Sequence, residues 1–205
     1  MIGQLTTSGA LAPLVSLILM AAVVMGSPGP STMSVTAVGA AFGWRRSLAY
    51  AVGLILGTSA VLVAVASGLV TVLLSVPHAA PVLIACSALY MLYLAWQIAT
   101  APPLGDKQAT AAPSAWAGFL LAIANPKAYV ALAAAFAGTT LAASPARDAL
   151  AKLVALTVMI VVIHLAWLTA GASFATVLRD PVHSRIANVV FALALVASVV
   201  LPLLR

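Results

Sequence analysis

"MGSPGPSTM", Met25 to Met33, sets two prolines and a glycine inside a stretch that otherwise reads as one long apolar helix. Proline removes a backbone donor and clashes with the preceding turn, while glycine admits backbone angles that other residues avoid. In hydrocarbon, backbone groups freed this way have to line a polar cavity or be met by neighbouring side chains. The surroundings of the break are those of a bilayer protein. The 205 residues are 64% hydrophobic and only 6% charged, with a mean hydropathy of +1.21, whereas a soluble domain carries about a quarter charged residues.

A spanning helix needs about 20 apolar residues at about 1.5 Å each. Six windows meet that length, roughly Ala10 to Phe42, Ser47 to Ser75, Ala79 to Thr100, Ala115 to Ala142, Leu150 to Val177 and Ile186 to Leu204. Between the third and fourth lies "ATAPPLGDKQATAAPSA", Ala99 to Ala115, rich in proline and glycine and carrying Asp106 and Lys107. It divides the chain into a first three-helix unit (1–100), a polar linker (101–114) and a second three-helix unit (115–205). No segment remains for a soluble catalytic domain. The first apolar stretch has no Lys or Arg ahead of it, which argues against a cleaved signal peptide.

The formal charge of +6 does not point to nucleic acid, because the nine basic residues are scattered, all but Lys127 over loops and helix ends. They read as topology signals. With both termini outside, Arg45, Arg46, Lys107, Arg179 and Arg185 fall inside, and Arg147, Lys152 and Arg205 fall outside, an asymmetry favoured by the positive-inside rule. Trp44, Trp96 and Trp116 sit near helix ends as interface anchors.

Because three is odd, the two units enter the membrane from opposite sides, as in the inverted repeats of many secondary transporters. The second unit has its own break. "LLAIANPKAYVAL", Leu120 to Leu132, places Asn125, Pro126 and Lys127 inside its first helix, about 98 residues after the first break. The expected fold is therefore an all-α polytopic membrane protein: six transmembrane helices as two inverted three-helix repeats, the first and fourth broken. Interrupted helices at matching positions point to a transport site between them; two proline kinks that only shape the bundle are the plainer reading. Ser27, Pro28, Gly29, Pro30, Ser31, Thr32, Asn125, Pro126 and Lys127 are the residues gathered at the breaks.

Lys127 lies about eleven residues, or 16 Å, from Trp116, near the centre of a core about 30 Å thick. An ammonium there needs water, a partner or an anion, and snorkelling to a surface is awkward from that depth. Asp106, Asp148 and Asp180 are the only acids, all expected in loops, so no carboxylate is expected in the membrane for a metal ion, a polyamine or a travelling proton. A lone lysine beside helix ends suits a substrate carboxylate, with the substrate amino group meeting carbonyls freed by the "SPGP" break. His164, in "VVIHLAWL", is the candidate for proton coupling, or else a packed, hydrogen-bonded core histidine. Cys86 is the single cysteine, so a disulfide framework or cysteine-rich metal site is not expected, nor is any cofactor. "GAAFG", Gly39 to Gly43, and "GLILG", Gly53 to Gly57, suit close helix packing within the chain, or between copies in a homo-oligomer.

These motifs together resemble the lysine-exporter (LysE/RhtB) family of bacterial amino-acid efflux proteins. "SPGP" is similar to the family's Pro-Gly-Pro signature, followed by Gly43, Arg45, Arg46, Gly53 and Gly57 at familiar spacing. "ALYMLYLAWQ", Ala88 to Gln97, resembles the end of its third helix, and "AGFLLAIANPKAY", Ala117 to Tyr129, its Asn-Pro-Lys-Ala motif. The resemblance implies export of an amino acid or close derivative across the bacterial inner membrane, driven by the proton gradient, and not an enzyme activity. It assigns the transport site to Pro28, Gly29, Pro30, Asn125, Pro126 and Lys127. Thr58 departs from the pattern, since many relatives carry an acidic residue or histidine there; Ser47 and Ala95 stand where glycine is common. Metal-ion efflux, an intramembrane enzyme and a noncatalytic assembly subunit are the competing readings. The absence of buried acids, of a nucleophile with a base partner, and of any need for an intramembrane lysine argues against each in turn.

Overall fold

A computed structural model describes residues 7–69, 75–100, 111–174 and 181–203. Their principal elements are the helices α1 (Thr7–Gly26), α2 (Pro30–Ala66), α3 (Ala79–Ala99), α4 (Ala115–Ala124), α5 (Pro126–Ala137), α6 (Pro145–Phe174) and α7 (Pro181–Leu203). Asp106, Lys107, Arg179, Asp180 and Arg205 lie outside the described residues, as does most of the linker.

Two helices, Pro30–Ala66 and Pro145–Ser173, are long and apolar enough to cross a membrane, and the pair α4 and α5, bent by 66° at Asn125, makes a third such span if counted as one. The outer faces agree with a lipid environment. Leu19, Val23, Val130 and Leu193 are each more than 60% exposed, and with no water outside such a face there is nothing to drive them inward. Trp96 and Trp116 are also largely exposed, as belt residues are.

The first broken helix consists of α1 and the start of α2, separated by the non-helical Ser27, Pro28 and Gly29. The long α2 contains a second interruption at Gly43, with φ 75° and ψ 168°. That positive φ is costly for any residue with a Cβ, and it turns the chain between the first two expected spans. Gly43 is thus a turn residue, whereas its neighbour Gly39 is pressed against the Leu168 backbone of α6; the two do not share a packing role. Gly53 and Gly57 do, since a Cβ at either would collide with α4, at Ala115 and at Phe119 with Ala122. The "GLILG" contact is therefore within the chain.

α2 is the central element, packed most extensively on α6 and α4, while α3 and α7 pair with each other. One apolar cluster gathers Val35, Tyr50, Leu54, Leu94, Ile98, Leu121 and Leu168. Another gathers Leu17, Val61, Leu62, Leu132, Leu156 and Ile160.

Two helix boundaries differ from expectation. α5 stops at Ala137 and not near Ala142, and α6 begins at Pro145, where a Ser-Pro step presets the first helical φ. Asp148 accordingly lies in the first turn of α6 and not in a loop. Its carboxylate accepts from the backbone N–H groups of Leu141 and Ala142 and pairs with Lys152 Nζ at 2.7 Å. Lys152, expected as an outer topology charge near a helix end, is 5% exposed and lies 5.2 Å from the centre of the Phe136 ring.

Candidate functional site

The two breaks share one local design. In each, an N-cap residue precedes a proline at the first helical position, Gly29 before Pro30 and Asn125 before Pro126, where the missing N–H of proline is harmless. The next residues, Ser31 and Lys127, therefore occupy equivalent places at the starts of α2 and α5. Thr32 Oγ1 accepts from Gly29 N–H at 2.9 Å, and Asn125 Oδ1 accepts from Lys127 N–H at 3.1 Å. Asn125 Nδ2 then donates to Ser31 Oγ at 2.8 Å and ties the two helix starts together.

Lys127 joins the breaks more strongly. Its ammonium donates to the Ser27 carbonyl, to Ser27 Oγ at 2.9 Å and to the Pro28 carbonyl at 3.1 Å. In an unbroken helix those carbonyls would accept from the backbone four residues on; here three oxygens meet the three donors of one ammonium. Gly29 makes room for it: its backbone is extended, with φ −175° and ψ −178°, so its value lies in having no side chain. A Cβ there would sit 2.6 Å from Lys127 Cδ and 2.9 Å from Nζ. The carbonyls expected to meet a substrate amino group are thus occupied by the lysine itself.

The carbonyl end of α4 is closed differently. Tyr129 Oη donates to the Ile123 carbonyl at 2.8 Å, and Asn125 N–H donates to the Ala122 carbonyl at 3.3 Å. Trp167 Nε1 donates to the Gly26 carbonyl at 3.1 Å. Nothing in its local sequence sets Trp167 apart from the belt tryptophans.

Gly29, Ser31, Asn125, Lys127 and His164 line one cavity of about 40 Å³, enough for roughly two or three waters. Ser27 and Pro28 hold the ammonium through their oxygens, and Pro30 and Pro126 shape the helix starts. His164 is 4% exposed and its Nδ1 lies 2.8 Å from the Ile160 carbonyl. Thr58, noted from sequence only as a departure, is a further wall residue. Its signal was a hydroxyl in mid-helix of an apolar run.

The polar seam lies between broken helices in an apolar bundle, and the chain belongs to a family of membrane transporters, the LysE type translocators, which it matches over residues 21–203. It is similar to the cysteine/O-acetylserine efflux protein of Escherichia coli O1:K1 / APEC, at 30% identity over 83% of this chain and 87% of that protein. Proteins of the same name from Escherichia coli strain K12 and Shigella sonnei strain Ss046 are each 29% identical over the same shares. No solved structure matches the chain.

Proposed function

We propose that this chain is a secondary active exporter of a small amino acid or amino-acid derivative from the bacterial cytoplasm. The observation that carries the proposal is the bridge from Lys127 Nζ to the Ser27 and Pro28 oxygens, which joins two helix breaks a hundred residues apart. Around it the starts of α2 and α5 offer positive dipole ends, and the end of α1 offers carbonyls. A zwitterion has the matching charges. Its carboxylate takes Lys127 and the two helix starts, and its ammonium takes the Ser27 and Pro28 carbonyls that Lys127 relinquishes as it turns to the carboxylate. One cation replaces another, so the carbonyl cradle is never left bare. Family membership and relatives named as cysteine/O-acetylserine efflux proteins support the same reading.

Six spans in two inverted repeats, 1–100 and 115–205 joined by the linker 101–114, would carry this site with both termini outside, and the two similarly built breaks support that arrangement. The cavity is water-sized, so admitting an amino acid requires the walls to move, as alternating access provides. His164, on the cavity wall, is the group proposed to exchange a proton. The test is efflux of labelled small amino acids from preloaded proteoliposomes, with and without a pH gradient. Gradient-dependent efflux that falls at least about tenfold in Lys127→Met, with normal insertion, is expected for the loss of a charged contact. No movement of any amino acid by the wild type refutes the proposal.

A further inference from the structure

Among the buried polar atoms left without a partner in the described residues, two belong to residues of the cavity wall. Thr58 Oγ1 on α2 and His164 Nε2 on α6 have no hydrogen-bond partner among the described residues. The two side chains are 5% and 4% exposed, and both line the cavity that holds Lys127 and Asn125. Buried polar atoms are nearly always paired, so two orphans on one cavity wall call for a ligand that meets them. The Thr58 hydroxyl does not fold back onto its own helix, as Thr36 Oγ1 does in donating to the Thr32 carbonyl at 2.8 Å.

The chemistry of the missing partner follows from His164. Its Nδ1 faces the Ile160 carbonyl, which can only accept, so Nδ1 carries a hydrogen. In the neutral ring Nε2 is then a buried lone pair on a residue of the cavity wall, an acceptor that needs a donor. The hydroxyl of Thr58 can give or take. We infer that Thr58 and His164 form the side-chain subsite of the transport cavity, selecting small amino acids whose side chain ends in a hydrogen-bond donor, a hydroxyl or a thiol. This inference rests on the zwitterion reading of Lys127, which fixes the two ends of the substrate and leaves its side chain to the remaining wall.

A proton on Nε2 and a donor from the substrate exclude each other, so the same atom serves the coupling proposed above. Among the described cavity residues, Lys127 on α5 is the charged group that shares the cavity with His164. Met25 from α1 and Thr58 from α2 do not titrate in the working range, and Tyr129 of α5 is turned to the Ile123 carbonyl.

The test is a comparison of serine with alanine, which differ by one hydroxyl, in the half-saturation of export from proteoliposomes. The wild type should favour serine by about tenfold, and Thr58→Val should lower that preference by about threefold or more, the worth of one hydrogen bond. Thr58→Ser, which keeps the hydroxyl, should retain the preference. Equal export of serine and alanine by the wild type overturns the subsite while leaving the zwitterion site standing. An unchanged preference in Thr58→Val, or an equal loss of both substrates, also overturns it by reducing Thr58 to packing. Export of neither amino acid by the wild type, nor of any other, overturns the parent reading and this one with it.

Discussion

Gly29→Ala isolates the lysine cradle with a single methyl group. The extended backbone at Gly29 suits alanine, so the substitution adds no torsional strain. Its Cβ, however, falls 2.6 Å from Lys127 Cδ and 3.3 Å from Cε, where carbon atoms rest at about 3.5–4.0 Å. The stem must retreat by about 1 Å, the difference between those separations. An ammonium held by contacts of 2.9 and 3.1 Å cannot move that far and keep them all. A hydrogen bond to a charged group is worth about 1.5–3 kcal/mol, so losing one shifts the seated lysine by about tenfold to a hundredfold. Export should fall by that order with insertion intact. Thermal unfolding in detergent supplies a second reading through a double-mutant cycle with Lys127→Ala: the cost of Gly29→Ala should largely vanish once the lysine is gone. If Gly29→Ala exports at the wild-type rate, or costs the same stability with and without the lysine, the ammonium is not seated in the break.

Three further outcomes are expected. His164→Gln keeps hydrogen bonding without titrating near neutrality, so pH-dependence of efflux should disappear while substrate still binds; an unchanged profile removes His164 from coupling. Asp148→Asn strands the buried Lys152 cation, so it should lower the unfolding temperature more than Asp148→Asn combined with Lys152→Met, and the reverse order refutes the pair as a buried unit. Reporters inserted within 105–110 and fused after Arg205 should read the cytoplasm and the outside respectively; identical readings break the six-span arrangement.

The parts of this site that sequence reveals are those that violate a local rule. Pro28, Pro30 and Pro126 break apolar helices, and Lys127 places a charge where none is tolerated without a partner, so each stands out from its neighbours alone. Thr58 breaks no such rule, because a threonine inside a membrane helix ordinarily bonds its own preceding turn. Only the packing of α2 against α5 and α6 leaves its hydroxyl buried without a partner beside a cavity. Gly43 misleads in the opposite way, since its spacing from Gly39 imitates a packing motif although its backbone makes a turn. For Lys152, charge alone gives only an outer-side topology signal near a helix end. Whether that end is buried depends on Phe136, which reaches it from α5, and on Asp148 one turn earlier in α6.

The two breaks are alike in their caps and unlike in what they do with the groups they free. At the second, Tyr129 Oη and Asn125 N–H meet the Ile123 and Ala122 carbonyls of α4 from within the same break. At the first, the Ser27 and Pro28 carbonyls are met by Lys127 from the other half of the chain. One break supplies acceptors and the other the cation that fills them. A pair of self-sufficient breaks would kink the bundle without needing one another. An acceptor break held by an ammonium from the other half of the chain can, in the proposed exchange, be held instead by a substrate ammonium. That dependence fits the exchange proposed above, in which a substrate ammonium takes the carbonyls and its carboxylate receives the lysine, whereas a bundle-shaping role alone does not call for it.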